Sequence, residues 1–234
     1  MIVGAMLAWF GAACGTPRAG DASSARRARD TTPLTPAPDA RPVVLCFGTS
    51  LTAGAGLSPE EAFPALLQHK ADSAGLGFRV VNAGVSGETS AAGLRRIDWL
   101  LQQPVGVLLL ELGANDVLRG QDLADAKRNL QEIIDRTRAR FPGVRVVVAG
   151  MEAPPNLGRR YTREFRDVFV ELARENRAVL IPFLLEGVAG HAELNQGDGI
   201  HPTAAGARIV ADRVWMVLEP VLRAVGRNDP GSGP

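Results

Sequence analysis

Val43-Val44-Leu45-Cys46-Phe47-Gly48-Thr49-Ser50-Leu51-Thr52-Ala53-Gly54-Ala55-Gly56 passes without interruption from an apolar run into a glycine-rich turn. An apolar run with no polar alternation reads as a strand buried on both faces, as in a parallel sheet. A glycine-rich turn leaving such a strand can cradle a phosphate, hold a dinucleotide, or lift a nucleophile out of the sheet. A phosphate loop needs a Lys-Ser/Thr pair after its second glycine, and no lysine lies near this turn. A dinucleotide fingerprint needs a third glycine opening the helix, whereas Gly54-Ala55-Gly56 runs on into Leu57-Ser58-Pro59. The remaining reading makes Ser50 a nucleophile just beyond the first strand.

Further apolar runs follow at Phe78 to Asn82, Val107 to Leu112, Val144 to Ala149 and Ala178 to Phe183, all rich in Val, Leu and Ile. Stretches of helical period separate them: Glu60 to Ala74, Ser90 to Gln102, Leu123 to Phe141 and Arg160 to Asn176, with Thr203 to Ala224 closing the chain. Leu130, Ile133, Ile134 and Thr137 illustrate the three- and four-residue spacing. Strict alternation of strand and helix predicts a doubly wound, three-layer α/β sandwich around a five-stranded parallel sheet. In such sheets the active groups sit on loops beyond the carboxyl ends of the strands.

With 234 residues, 46% apolar, and a formal charge of only +1, the chain suits one well-packed domain. The near-neutral balance speaks against a nucleic-acid partner, which would call for a basic stripe interleaved with aromatics. The basic residues are nearly all arginine, and they alternate with acids as on solvated helix faces. Met1 to Ala13 is uncharged and apolar, of signal-peptide rather than membrane-spanning length. Cys14 follows Gly11-Ala12-Ala13 as at a lipoprotein cleavage site, although position 11 is glycine where leucine is usual. Acylation of Cys14, ordinary cleavage and an uncleaved start therefore all stand as readings. The expected organisation is a signal or lipoprotein signal over 1–14, a disordered linker over 15–41 poor in large apolar side chains, a catalytic domain over 42–225, and a disordered tail over 226–234. Cys46, inside an apolar strand, reads as a packed, inert thiol, and no disulfide framework is expected.

A serine hydroxyl is a weak nucleophile until a base is positioned beside it. Of the three histidines, His69 falls late in a helix and His191 in a polar loop, while His201 lies in Asp198-Gly199-Ile200-His201-Pro202. That turn carries both a base and a carboxylate able to fix its tautomer. Asp198 capping the last helix while His201 merely packs is the plainer alternative. Acyl transfer also needs donors aimed at the developing oxyanion. Gly87, in Asn82 to Ser90, and Asn115, in Glu111 to Asp116, supply candidates with the Ser50 amide. Read singly, Gly87 is a turn glycine and Asn115-Asp116 an Asx turn. Jointly, these residues fall on the functional loops and furnish nucleophile, base, orienter and oxyanion donors. The histidines share no ligand spacing, so no metal site is expected.

On these residues the chain resembles the SGNH (GDSL-type) hydrolase superfamily, and within it the bacterial thioesterase I, lysophospholipase and arylesterase branch. The resemblance covers roughly Val43 to Val221 through GTSLTAGAGL at Gly48 to Leu57, NAGVSGETS at Asn82 to Ser90, LGAND at Leu112 to Asp116 and DGIHP at Asp198 to Pro202. It implies a flavodoxin-like fold with Ser50 as nucleophile, His201 as base, Asp198 as its partner, and Ser50, Gly87 and Asn115 as oxyanion-hole donors. It also implies that the loop from Ala153 to Tyr161 borders the acyl site. The family's first block is often Gly-Asp-Ser-Leu, and Thr49 stands here in place of the aspartate.

The expectation is a serine esterase acting on acyl or aryl esters, including lysophospholipids or thioesters, through an acyl-enzyme and without any cofactor. It would be an exported monomer, periplasmic or tethered to the membrane through acylated Cys14, with a small-molecule or lipid ester as its partner. Two alternatives stay open: a carbohydrate O-acetyl esterase of the same superfamily, and a non-catalytic envelope protein that retains the scaffold for binding.

Overall fold

A computed structural model of the protein describes Asp39 and residues 41–227. The expected signal, nearly all of the linker, and the tail from 228 onward lie outside the described residues. Five strands, β1 (Val43–Gly48), β2 (Arg79–Gly84), β3 (Val105–Glu111), β4 (Arg145–Ala149) and β5 (Val179–Ile181), form one parallel sheet in the order β2-β1-β3-β4-β5. This is the flavodoxin-like order. Every residue of β1 is buried, and β3 is nearly so, which is why neither alternates in polarity. The edge strands are less apolar or shorter, and β5 stops at Ile181 because Pro182 has no N–H for the ladder.

Long helices α2 (Phe63–Ser73) and α7 (Ala204–Arg227) pack together on one face of the sheet. On the other face α5 (Leu123–Arg140) contacts both α3 (Ser90–Leu100) and α6 (Arg159–Glu175). Leu130, Ile133, Ile134 and Thr137 form the buried stripe of α5, as their spacing predicts. Two departures from the expected boundaries have local causes. The stretch expected as one helix from Glu60 begins as a 3-10 turn at Pro59–Glu61 and restarts at Phe63, since Pro64 cannot donate back along a continuous helix. The last helix continues to Arg227, so the first two residues of the expected 226–234 tail are helical. Two further helices, α1 (Ser50–Ala53) and α4 (Ala114–Leu118), are single turns that no periodicity announces.

Strand order reverses between β1 and β3, the chain crossing from β1 to one side of the sheet and from β3 to the other. Ligands bind in the crevice beyond the carboxyl ends of strands at such a switch point. The residues that follow β1 and β3 are Thr49-Ser50 and Leu112 to Asn115.

Candidate active site

The turn that carries Ser50 is built by Gly48 and Gly54. A Cβ at Gly48 would collide with the Thr52 hydroxyl and the Glu111 carboxyl, so only glycine ends this strand. Thr49 is extended and caps α1, whose first residue is Ser50, and Gly54 closes the turn in the left-handed region at φ 75°. A strand thus passes into a one-turn helix within two residues, and Ser50 projects from the corner.

Ser50 Oγ lies 2.8 Å from His201 Nε2, and His201 Nδ1 lies 2.6 Å from Asp198 Oδ2. Asp198 Oδ1 also accepts the backbone N–H groups of Ile200 at 2.9 Å and His201 at 3.0 Å. The His201 ring beside it, followed by these two amides, holds the Asp198 carboxyl well below the usual carboxylate range. A carboxylate ionised in this way requires a proton on Nδ1, which leaves Nε2 free to accept from the Ser50 hydroxyl. Asp198 therefore does not cap the final helix. Thr203 does, its hydroxyl accepting from Gly206 N at 3.3 Å. His69 and His191 lie elsewhere, His69 beside Trp215 and His191 3.7 Å from the carboxylate of Glu193.

The other two loops meet the same corner. Gly87 takes φ 77°, and its carbonyl accepts from Arg119 Nη2 at 2.8 Å. Asn115, in α4, donates from Nδ2 to the Glu88 carbonyl at 3.0 Å, so the amide nitrogen holds a fixed position and retains one further N–H. Beneath it, buried Asp116 accepts from Ser90 N at 2.8 Å and Ser90 Oγ at 2.6 Å, pinning α4 to the start of α3. These are contacts between distant loops, not the local Asx turn that the dipeptide alone permits. Arg96 supports the Gly87 loop by donating to Glu88 Oε1 and to the Ala83 carbonyl, each at 2.6 Å, with its guanidinium 4.6 Å from the Phe47 ring.

Ser50, Gly87, Asn115 and His201 thus line one cleft of about 740 Å³, whose remaining walls are largely apolar and include Leu118, Met151, Phe165, Phe183 and Leu185. Ala153, Pro154 and Pro155 border it, whereas Leu157 and Tyr161, further along the same loop, line a neighbouring depression. Among the described residues no group of three or more His, Cys, Asp or Glu is placed to hold a metal ion.

Residues that sequence reasoning did not single out hold this geometry. Gln196 donates from Nε2 to the carbonyls of Ala55 at 2.7 Å and Pro202 at 2.9 Å, and its backbone N–H donates to the His201 carbonyl at 2.7 Å. It stitches the His201 turn to the Ser50 loop. Glu111, fully buried at the end of β3, accepts from the residues flanking Ser50. A lone charged residue ending an otherwise apolar strand was the available signal for it.

The chain matches the GDSL-like lipase/acylhydrolase family over residues 46–209. Esterase TesA of Pseudomonas aeruginosa is 39% identical over 180 residues, which cover 76% of this chain and 89% of that protein. Thioesterase 1/protease 1/lysophospholipase L1 of Escherichia coli K12 is 37% identical over 181 residues, 76% of this chain and 84% of its own. The crystal structure of TesA superimposes with a TM-score of 0.73 at 39% identity, covering 76% of this chain and 99% of that one. Similarity of that extent, over the residues that build the sheet and the cleft, makes this chain a member of the GDSL-like lipase/acylhydrolase family and an ester hydrolase.

Proposed function

We propose that Ser50 is the nucleophile, His201 the general base, Asp198 its orienter, and the N–H groups of Ser50, Gly87 and Asn115 the oxyanion hole. The observation that carries this reading is the continuous chain from Ser50 Oγ through His201 to Asp198, with links of 2.8 and 2.6 Å, in which Ser50 and His201 line a largely apolar cleft. His201 Nε2 takes the hydroxyl proton as Oγ attacks the ester carbonyl, and the carbonyl oxygen becomes an oxyanion among the three donors. Asp198 stabilises the imidazolium so formed. The imidazolium then protonates the departing alcohol, leaving an acyl-enzyme on Ser50. Water activated by the same Nε2 attacks that acyl carbon, and collapse of the second oxyanion releases the acid and restores Ser50.

The cleft favours esters with an apolar acyl group. Each methylene buried there contributes about 0.8 kcal/mol, or roughly fourfold in kcat/KM while the wall continues. A deacetylase for sugars has no use for such a wall and would lose activity beyond the shortest chain. Export and a lipid tether at Cys14 belong to the same reading, supported by the apolar stretch before that cysteine. The mass of the mature N-terminus tests it, and an unmodified Cys14 refutes the tether.

The deciding experiment is hydrolysis of p-nitrophenyl esters from acetate to palmitate by wild type, Ser50→Ala and His201→Ala. Turnover should vanish in both variants with the fold intact, and rise with chain length in wild type before falling. Full activity in either variant overturns the assignment of that residue. A profile that peaks at acetate selects the carbohydrate esterase instead.

A further inference from the structure

We propose that Glu111 is a positioning residue for the nucleophile, its buried side chain anchoring the turn from which Ser50 projects through Thr49 on one side and Thr52 on the other. The inference rests on the assignment of Ser50 as nucleophile and extends it to the group that holds Ser50 in place.

Glu111 is the last residue of β3 and pairs in register with Gly48, the last of β1. It is fully inaccessible to solvent. One carboxyl oxygen, Oε2, accepts from the Thr52 hydroxyl at 2.7 Å, Thr49 N at 2.9 Å and Thr52 N at 3.3 Å. The other, Oε1, accepts from the Thr49 hydroxyl at 2.9 Å. The donors are therefore the residue immediately before Ser50 and the residue two after it. Burial pushes the Glu111 carboxyl up, while the same hydrogen bonds act in the opposite direction.

A buried carboxyl without compensation is costly, and a strand end that needed only packing would be served by leucine. What a carboxyl supplies here is acceptor geometry. Two backbone N–H groups at the start of a helix have no intrahelical partner, and Glu111 satisfies both. Its two oxygens also fix the side chains of Thr49 and Thr52, so the turn is held at four points around Ser50. The space is filled: a Cβ on Gly48 would strike both the Thr52 hydroxyl and the carboxyl.

This arrangement also explains Thr49. The motif that names the family has aspartate before the serine, which at this position would set a second carboxyl against a buried first one. Threonine brings a donor to the same contact, and its oxygen still accepts from Leu51 N at 3.5 Å as the cap of α1. In this chain Glu111 is thus the sole acid of the turn, and its partners are all donors.

The test compares Glu111→Leu, Glu111→Gln and Thr52→Val with wild type and Ser50→Ala, measuring kcat and KM on p-nitrophenyl butyrate, the rate of inactivation by a small alkyl fluorophosphonate, and the melting temperature. A displacement of about 1 Å at a reacting group costs on the order of a hundredfold, so Glu111→Leu should lose about that factor in kcat at unchanged KM. Inactivation by the fluorophosphonate should slow by the same factor, since attack at phosphorus with loss of fluoride needs the same positioned, activated hydroxyl. Glu111→Gln should recover activity to within about tenfold of wild type, because its amide oxygen can take the place of Oε2 and its NH2 can face the Thr49 hydroxyl. Thr52→Val, which keeps shape and removes one donor, should lower kcat several-fold. If Glu111→Leu fails to fold, Glu111→Gln and Thr52→Val carry the test. Variants that melt lower yet keep both rates within twofold of wild type overturn the inference and leave Glu111 a purely structural group. Activity surviving in Ser50→Ala would instead overturn the assignment of the nucleophile, so the two failures are distinct.

Discussion

Replacing Asn115 by alanine tests the proposed oxyanion hole separately from the rest of the site. The Asn115 amide nitrogen carries two N–H groups, and one is committed to the Glu88 carbonyl at 3.0 Å. The other is available to the cleft that Asn115 lines with Ser50, and in the proposed mechanism it donates to the negative oxygen of the tetrahedral intermediate. Loss of one such donor elsewhere costs about 2.7–4 kcal/mol, a factor of about 10² to 10³ in kcat. KM should stay near its wild-type value, because the hole is complementary to the oxyanion and contributes little to the planar ester. The substitution also removes the hydrogen bond to Glu88, worth about 1 kcal/mol, which corresponds to about 2–4 °C in Tm for a domain of this size. The assay is steady-state hydrolysis of p-nitrophenyl butyrate alongside thermal melting of Asn115→Ala and Asn115→Asp. Aspartate keeps the shape but cannot donate, and it adds negative charge beside the oxyanion, so its kcat should fall at least as far as that of alanine. A kcat for Asn115→Ala within threefold of wild type, with the expected drop in Tm, would show that Asn115 only braces the Gly87 loop.

Two further measurements probe groups with displaced titration. Because folding lowers the Asp198 carboxyl, its contribution to stability is complete above about pH 4 and fades as the pH falls from there toward the lowered value; wild type and Asp198→Asn should therefore differ in Tm at pH 7 and converge under strong acid, and a constant difference at every pH would contradict the hydrogen bonding described. Burial pushes the Cys46 thiol up to about 12, so iodoacetamide at pH 8 should leave it unlabelled in the native protein and label it in urea; native labelling at Cys46, read by mass spectrometry, would contradict the packed strand.

The fold was legible because its central strands are buried on both faces. β1 and β3 therefore declare themselves as apolar runs, and the five long helices between and after the strands show their buried stripes at helical spacing. That Ser50, Gly87, Asn115 and the Asp198/His201 pair would come together was legible for a topological reason: each follows a strand or precedes the last helix at the edge where a doubly wound sheet gathers its loops. α1 and α4 were not legible. A four- or five-residue helix is too short to show a period, and it persists only because tertiary contacts close it, as Asp116 does for α4.

The supporting groups stayed hidden for a different reason. Gln196 reaches Ala55 across 141 residues and Glu111 reaches Thr49 across 62, and no local pattern encodes such partners. Glu111 did leave a trace, as the one charged residue in the apolar strand Val105–Glu111. On its own that trace reads as a strand end emerging into solvent. Only the register of β3 against β1, which sets Glu111 beside Gly48, turns it inward toward the Ser50 turn. The same register makes sense of Thr49, whose departure from the family motif has no meaning until the carboxyl it faces is known. Two residues far apart in sequence are thus one arrangement in space. Thr49→Asp alone should therefore weaken the turn by setting two acids together, and Glu111→Gln should offset that loss by giving the new aspartate an amide to accept from. A double-mutant cycle on kcat measures the coupling, and strict additivity of the two changes would mean that the contact does not position Ser50.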